Sequence, residues 1–230
     1  MPQPGRAMVV VAHPDDAEFL CAGTVARLVE DGWHVTQVLA TSGDKGTKDP
    51  NLTPEQLAGI REWEQHQAAR VLGVADVVFL RHPDGFVWHA PDLRGELVRL
   101  FRERKPDLVI TWDGLAHHFT HTDHRETGLA AMHAAYPAVR DPLYYAEQQG
   151  EGLEPHRVRE LWLAGPDEPD FYVDIAGVLE RKAKAVMAHR SQVKWKDEAE
   201  LLSEWRARSL ASARAGGVPF VEAFRRWKVG

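Results

Sequence analysis

The chain has 230 residues and a formal net charge of -6, from 34 acidic side chains against 28 Lys plus Arg. That balance argues against a nucleic-acid partner, which asks for a basic patch, and 44% apolar with 27% charged residues excludes wholesale disorder. One cysteine, Cys21, allows no intrachain disulfide, so a cytoplasmic setting is expected, and no apolar run approaches the length of a membrane span.

The first half alternates strand and helix signals. Met8 to Ala12 is a continuous, β-branched apolar run, the pattern of a strand buried on both faces. Phe19, Leu20, Val25, Leu28 and Val29 then recur at helical spacing up to Gly32. A strand is predicted over His34 to Thr41, a turn-rich loop over Ser42 to Thr53, and a helix from Pro54 to Leu72, ended by Gly73. Val77 to Leu80 and Leu108 to Trp112 read as strands, with a helix over Leu93 to Arg104 between them. Beyond these, Val158 to Ala164 and Phe171 to Val173 read as strands. Ile175 to His189 and Glu198 to Ala213 read as helices, and Val218 to Trp227 as an extended segment. The rhythm predicts a single α/β domain, Rossmann-like, with a mostly parallel sheet and a less regular C-terminal part. Gln148 to Pro155 is the one candidate boundary.

Two clusters fall where such a fold places its chemistry, beyond the carboxyl ends of the strands. His13-Pro14-Asp15-Asp16 follows the first strand, although an aspartate there also suits a helix cap. After the fourth strand, His117, His118, His121 and His124 fall within eight residues, which is four of the 12 histidines. In a strand order of the 3-2-1-4 type the two clusters face each other. Two imidazoles and a carboxylate with an open position form the donor pattern of catalytic zinc. A surplus carboxylate, Asp15, then serves as base on water, and a surplus histidine steadies developing charge.

These stretches resemble the PIG-L/LmbE-like deacetylases, metal-dependent enzymes acting on N-acetylglucosamine-type substrates. The matching segments are Ala12-His-Pro-Asp-Asp-Ala-Glu18, Gly23-Thr24, Thr41-Ser-Gly-Asp44, Arg61-Glu-Trp-Glu64, Leu72-Gly73, Pro83-Asp-Gly85, His121-Thr-Asp-His124 and Ala188-His-Arg-Ser-Gln192. The resemblance implies a metal held by His13, Asp16 and His124, namely Zn²⁺, with Fe²⁺ as another divalent choice. It implies Asp15 as general base, a protonated His121 as oxyanion partner, and Asp123 orienting an imidazole. Arg61 and Asp84 would touch substrate, and His189 would lie near the rim. Thr122 stands where the usual motif has proline, and Phe119 and Thr120 where some relatives carry a tyrosine. The implied substrate is a small N-acetylated amino sugar, and the implied assembly a homo-oligomer, trimer or hexamer. Two rivals keep part of this picture: a metal-dependent amidase or phosphoesterase, and a non-catalytic carbohydrate-binding relative. No glycine-rich dinucleotide fingerprint follows the first strand. Cys21 is expected in the core, and Trp88 is the tryptophan best placed to stack on a sugar.

Overall fold

The computed structural model describes residues 4–89, 92–117, 121–214 and 219–229. Strands β1 (Arg6–Val11), β2 (His34–Thr41), β3 (Asp76–His82), β4 (Leu108–Trp112) and β5 (Glu160–Ala164) pair in parallel. Strands β6 (Phe171–Asp174) and β7 (Val221–Lys228) extend the sheet, with β7 antiparallel to both its neighbours. The strand order is β3-β2-β1-β4-β5-β7-β6. Alternate residues of β1 feed two cores. Val9 and Val11 pack with helices α1 (Asp16–Glu30), α2 (Pro54–Leu72) and α6 (Leu179–Val186) on one face. Met8 and Val10 pack with α3 (Leu93–Arg104) and α4 (Thr122–His133) on the other. A short α5 (Ala146–Gly150) and a longer α7 (Glu198–Arg214) complete the helices. Burial of both sheet faces explains why β1 and β4 read as unbroken apolar runs rather than alternating ones.

The ends of α2 obey local rules. Thr53 and Gln56 form a reciprocal capping box, Pro54 opens the first turn, and Gly73 closes the helix at φ +79°. The segment ending at His189 and helix α4 differ from the sequence expectation, while the final extended segment holds. The predicted helix over Ile175 to His189 is a 3₁₀ turn, Ala176–Val178, followed by α6 alone, so His189 sits past the helix end. The final extended segment is β7, an antiparallel partner in the sheet, while residue 218 lies outside the described residues. Helix α4 has no counterpart in the sequence reading. Its first two turns are almost wholly polar, so the apolar periodicity that marks a core helix is faint there.

Helix α1 is broken at Cys21, which is buried and has φ -144°. The break frees backbone groups that water cannot reach. Gly23 N–H and Thr24 N–H donate to the Glu222 carboxylate of β7, at 2.9 and 2.6 Å. The Phe19 carbonyl, which Gly23 would otherwise use, accepts from Lys182 Nζ at 2.9 Å, and Lys182 also pairs with Glu222 at 2.6 Å. Thus β7 caps the second half of α1 and keeps its first half fixed against the sheet. No helix among the described residues is long and apolar enough to cross a membrane.

Removing Glu222 strands a buried ammonium and two buried amides. Glu222→Ala is expected to lower the unfolding free energy by about 3–5 kcal/mol in urea titrations. A loss below about 1 kcal/mol, the scale of a surface ion pair, would contradict the capping role.

Candidate active site

Strands β1 and β4 are neighbours, and their crossovers leave on opposite sides of the sheet. This is the switch point of a doubly wound sheet, and the two predicted clusters meet above it. His13 to Asp16 form the turn from β1 into α1, while His121 caps α4 and His124 lies in its first turn. The approach of α4 to β4 depends on Gly128, where an added Cβ would lie 2.5 Å from the Trp112 carbonyl oxygen. His124 is one turn earlier on the same helix face, so the missing side chain brings it over β1. Its ring stacks on Trp112 at 4.1 Å between centroids.

Three donor groups converge there. His13 Nδ1 is 3.2 Å from His124 Nε2, His124 Nε2 is 3.1 Å from Asp16 Oδ1, and His13 Nδ1 is 3.7 Å from Asp16 Oδ2. Ligands on a tetrahedral zinc stand about 3.3 Å apart, given bonds of about 2.0–2.1 Å. The spacing and the borderline-soft donor set therefore fit a divalent cation. Asp16 uses its oxygens differently. Oδ2 accepts from Ala12 N–H, His13 N–H and Trp112 Nε1–H, at 3.1, 2.9 and 3.2 Å, leaving Oδ1 for a cation. Two triads among the described residues bring one donor atom each within 4.8 Å: His13, His121 and His124, and His13, Asp84 and Asp123. His13 belongs to both because its two nitrogens face opposite ways. Nε2 lies 3.0 Å from Asp84 Oδ1 and 3.3 Å from Asp123 Oδ2, as a ligating imidazole usually has a carboxylate behind it.

The charges follow this layout. Burial pulls the His13 pKa down, but Asp123, Asp16 and Asp84 outweigh it and push it up to about 11. Burial acts to raise Asp16, yet hydrogen bonds from His124 and His13 hold its carboxyl far below the usual range. Asp84 is likewise brought down to about 2 despite burial, chiefly by His13. His121 moves the other way. Burial, then the charges of His13 and His124, lower its pKa. Its Nδ1 accepts the Asp123 N–H at 3.3 Å, so the neutral ring carries its proton on Nε2. The protonated His121 expected from the sequence is disfavoured in this setting.

Asp15 stands apart from the donors. It is a non-glycine residue at φ +98°, a conformation costing roughly 1–3 kcal/mol and kept only where the surroundings dictate it. Burial and the neighbouring Asp16 charge push its pKa up to about 7, against the pull of Arg61. Arg61 and Asp84 are almost wholly buried. Arg61 donates to Gly43 O, Pro14 O and Asp15 Oδ2, and Asp84 accepts the Lys45 N–H. His189 lies beneath the site rather than at its rim. It is fully buried and bonds Glu18 Oε2 at 3.1 Å. The next residues of its motif are tied to α2, with Ser191 N and Oγ both donating to Glu64. His117 is drawn away to Asp167, while His118, Phe119 and Thr120 lie outside the described residues.

The sequence reading missed Glu18, Gln37 and Gln65. Both glutamine amides donate to Glu18 Oε1 at 3.0 Å, and all three residues are fully buried. A glutamine inside the apolar β2 run, and another on the Leu57, Ala68, Leu72 face of α2, were the available signals.

An α/β sheet with a buried histidine–carboxylate donor set at its switch point defines a metal-site enzyme scaffold. The family model described as PIG-L: GlcNAc-PI de-N-acetylase matches residues 8–135, more than half the chain. The chain belongs to this family of metal-dependent N-deacetylases. It is 30% identical over 187 residues to diacetylchitobiose deacetylase from Thermococcus kodakarensis, covering 81% of this chain and 70% of that one. It is 29% identical over 238 residues to the 1D-myo-inositol 2-acetamido-2-deoxy-alpha-D-glucopyranoside deacetylase of Actinosynnema mirum, covering 85% and 84%. Among solved structures, N,N'-diacetylchitobiose deacetylase from Pyrococcus horikoshii superposes with a TM-score of 0.87 at 29% identity, over 98% of this chain and 84% of that one.

Because Asp123 supports His13 from behind, Asp123→Asn is expected to weaken divalent metal binding about 10–100-fold in a chelator-competition titration. An unchanged affinity would remove Asp123 from the site's support.

Proposed function

We propose that the protein hydrolyses the N-acetyl group of a small N-acetylglucosamine-type molecule, with zinc as its metal, to give acetate and a free amino sugar. The observation that carries this reading is Asp15, a half-buried carboxylate next in the chain to Asp16, fixed by a left-handed backbone and by Arg61 at 3.3 Å, with its pKa raised to about 7. Binding a sugar needs no such base, whereas hydrolysis with water does. The relatives named above supply the substrate class, because their names specify N-acetylated amino sugars.

His13 Nδ1, Asp16 and His124 Nε2 are the proposed metal ligands, and a zinc ion held there supplies Lewis acidity to the acetamide carbonyl and acidifies water. Asp84 and Asp123 keep His13 turned so that Nδ1 faces the donors. Asp15 takes a proton from the attacking water as its oxygen bonds the carbonyl carbon. His121 donates its Nε2–H to the oxygen on which negative charge develops, as a neutral imidazole. Asp15 then returns the proton to the nitrogen as the C–N bond breaks, so one water is consumed for each acetate and amine released. Arg61 holds the Asp15 carboxylate at 3.3 Å. Beyond Asp84, the exposed rings of Phe86 and Trp88 offer apolar faces to a pyranose. The reading includes a cytoplasmic homo-oligomer. Its one thiol is buried, and Tyr136 and Leu143 expose apolar surface that a second copy would cover.

Asp15→Asn is expected to lower kcat for amine release from N-acetylglucosaminides by about 10²–10⁴-fold with bound metal unchanged. His121→Ala is expected to cost about 10²–10³-fold in kcat with little change in KM. Wild-type turnover in the Asp15→Asn variant would overturn this mechanism.

A further inference from the structure

The Pro14–Asp15 peptide is gripped at both ends by one helix. Its carbonyl, Pro14 O, accepts from Arg61 Nη2 at 2.5 Å, and its amide, Asp15 N–H, donates to Gln65 Oε1 at 3.1 Å. Arg61 and Gln65 are four residues apart in α2 and so share a face of that helix. The plane they hold is the one immediately before the left-handed Asp15 backbone, so its tilt sets the direction of the Asp15 side chain.

Gln65 is itself held in one orientation. Its Nε2 donates to Glu18 Oε1 at 3.0 Å and Gln37 Oε1 at 3.1 Å, which leaves Oε1 as the end facing Asp15. An inverted amide would turn an N–H against the Asp15 N–H and set its oxygen against two acceptors. Glu18 is fixed in turn by Gln37 Nε2 at 3.0 Å and by His189 at 3.1 Å. Every member of this set except Asp15 itself is buried, so each bond lacks competition from water.

We propose that Gln65 is a positioning residue for hydrolysis: with Arg61 it clamps the Pro14–Asp15 peptide, and the buried Glu18–His189 pair orients the Gln65 amide. The inference rests on Asp15 acting as the base. It also gives the Ala188-His-Arg-Ser-Gln192 motif a task without substrate contact, because His189 locks the far end of the relay.

Gln65→Met preserves volume and removes the acceptor. Its kcat is expected to fall roughly 10- to 100-fold, the cost of misplacing a reacting group by about an ångström, with KM and bound metal per chain near wild type. Gln65→Asn, too short to reach the amide, carries the same expectation should the Met variant fail to fold. Gln148→Met removes a buried amide that bonds Arg102 and Gly95, outside the Gln65 network, and is expected to keep kcat within about threefold of wild type. In an Asp15→Asn background, Gln65→Met should remove nothing further, since it acts through Asp15. Wild-type kcat in folded Gln65→Met or Gln65→Asn, or equal losses in Gln148→Met and Gln65→Met, would overturn the clamp. An active Asp15→Asn variant would instead overturn the base assignment beneath it.

Discussion

His13 has two ring nitrogens, and the fold gives them opposite neighbours. Asp84 and Asp123 take Nε2, so only Nδ1 can face His124 and Asp16. Every other feature of the site follows from that division. With the ring turned over, ring carbons would replace the nitrogens that face His124 on one side and the two carboxylates on the other. Asp123 also accepts the N–H groups of Gly85 and Val87, at 2.7 and 3.2 Å, so the carboxylate behind His13 fastens the loop bearing Phe86 and Trp88. The orientation of His13 and the placement of the aromatic rim share one residue.

The carboxylates around His13 show why neighbouring aspartates can do different work. Asp16 receives three N–H donors on one oxygen and an imidazole on the other, and it stays ionised despite full burial. Asp15, one residue earlier, is drawn down by Arg61 and His189 but feels Asp16 beside it, so burial dominates and the proton is held more tightly. A stable anion next to a carboxyl raised towards neutrality is the division of labour that the proposed hydrolysis asks for. The Asp15 backbone is left-handed at φ +98°, and its carboxylate meets Arg61 where that of Asp16 meets the Ala12, His13 and Trp112 N–H groups.

Much of this was legible in the sequence. The parallel strands announced themselves as unbroken β-branched runs, and the order 3-2-1-4, named as the one in which the two clusters would face each other, is the order of the folded sheet. That order alone brought His13 and His124 together from positions 111 residues apart. Helix α4 was not legible, because its polar opening turns face the site rather than a core. The depth of His189 was hidden for a related reason. A motif places a histidine near a site, but burial depends on a partner, and nothing in the sequence pairs His189 with Glu18 across 171 residues. Gln37 and Gln65 carried a readable anomaly, as amides set among apolar neighbours, yet only the folded chain shows that both amides converge on one carboxylate.

The most direct test is anomalous diffraction at the zinc edge from crystals of the zinc-loaded protein. The account predicts one peak on the Nδ1 side of His13, within about 2.0–2.2 Å of that atom, His124 Nε2 and an Asp16 oxygen. A peak on the Nε2 side, between Asp84 and Asp123, would contradict it. Those two carboxylates would then be the ligands rather than the support, and the proposed roles of Asp16 and His124 would fall with them.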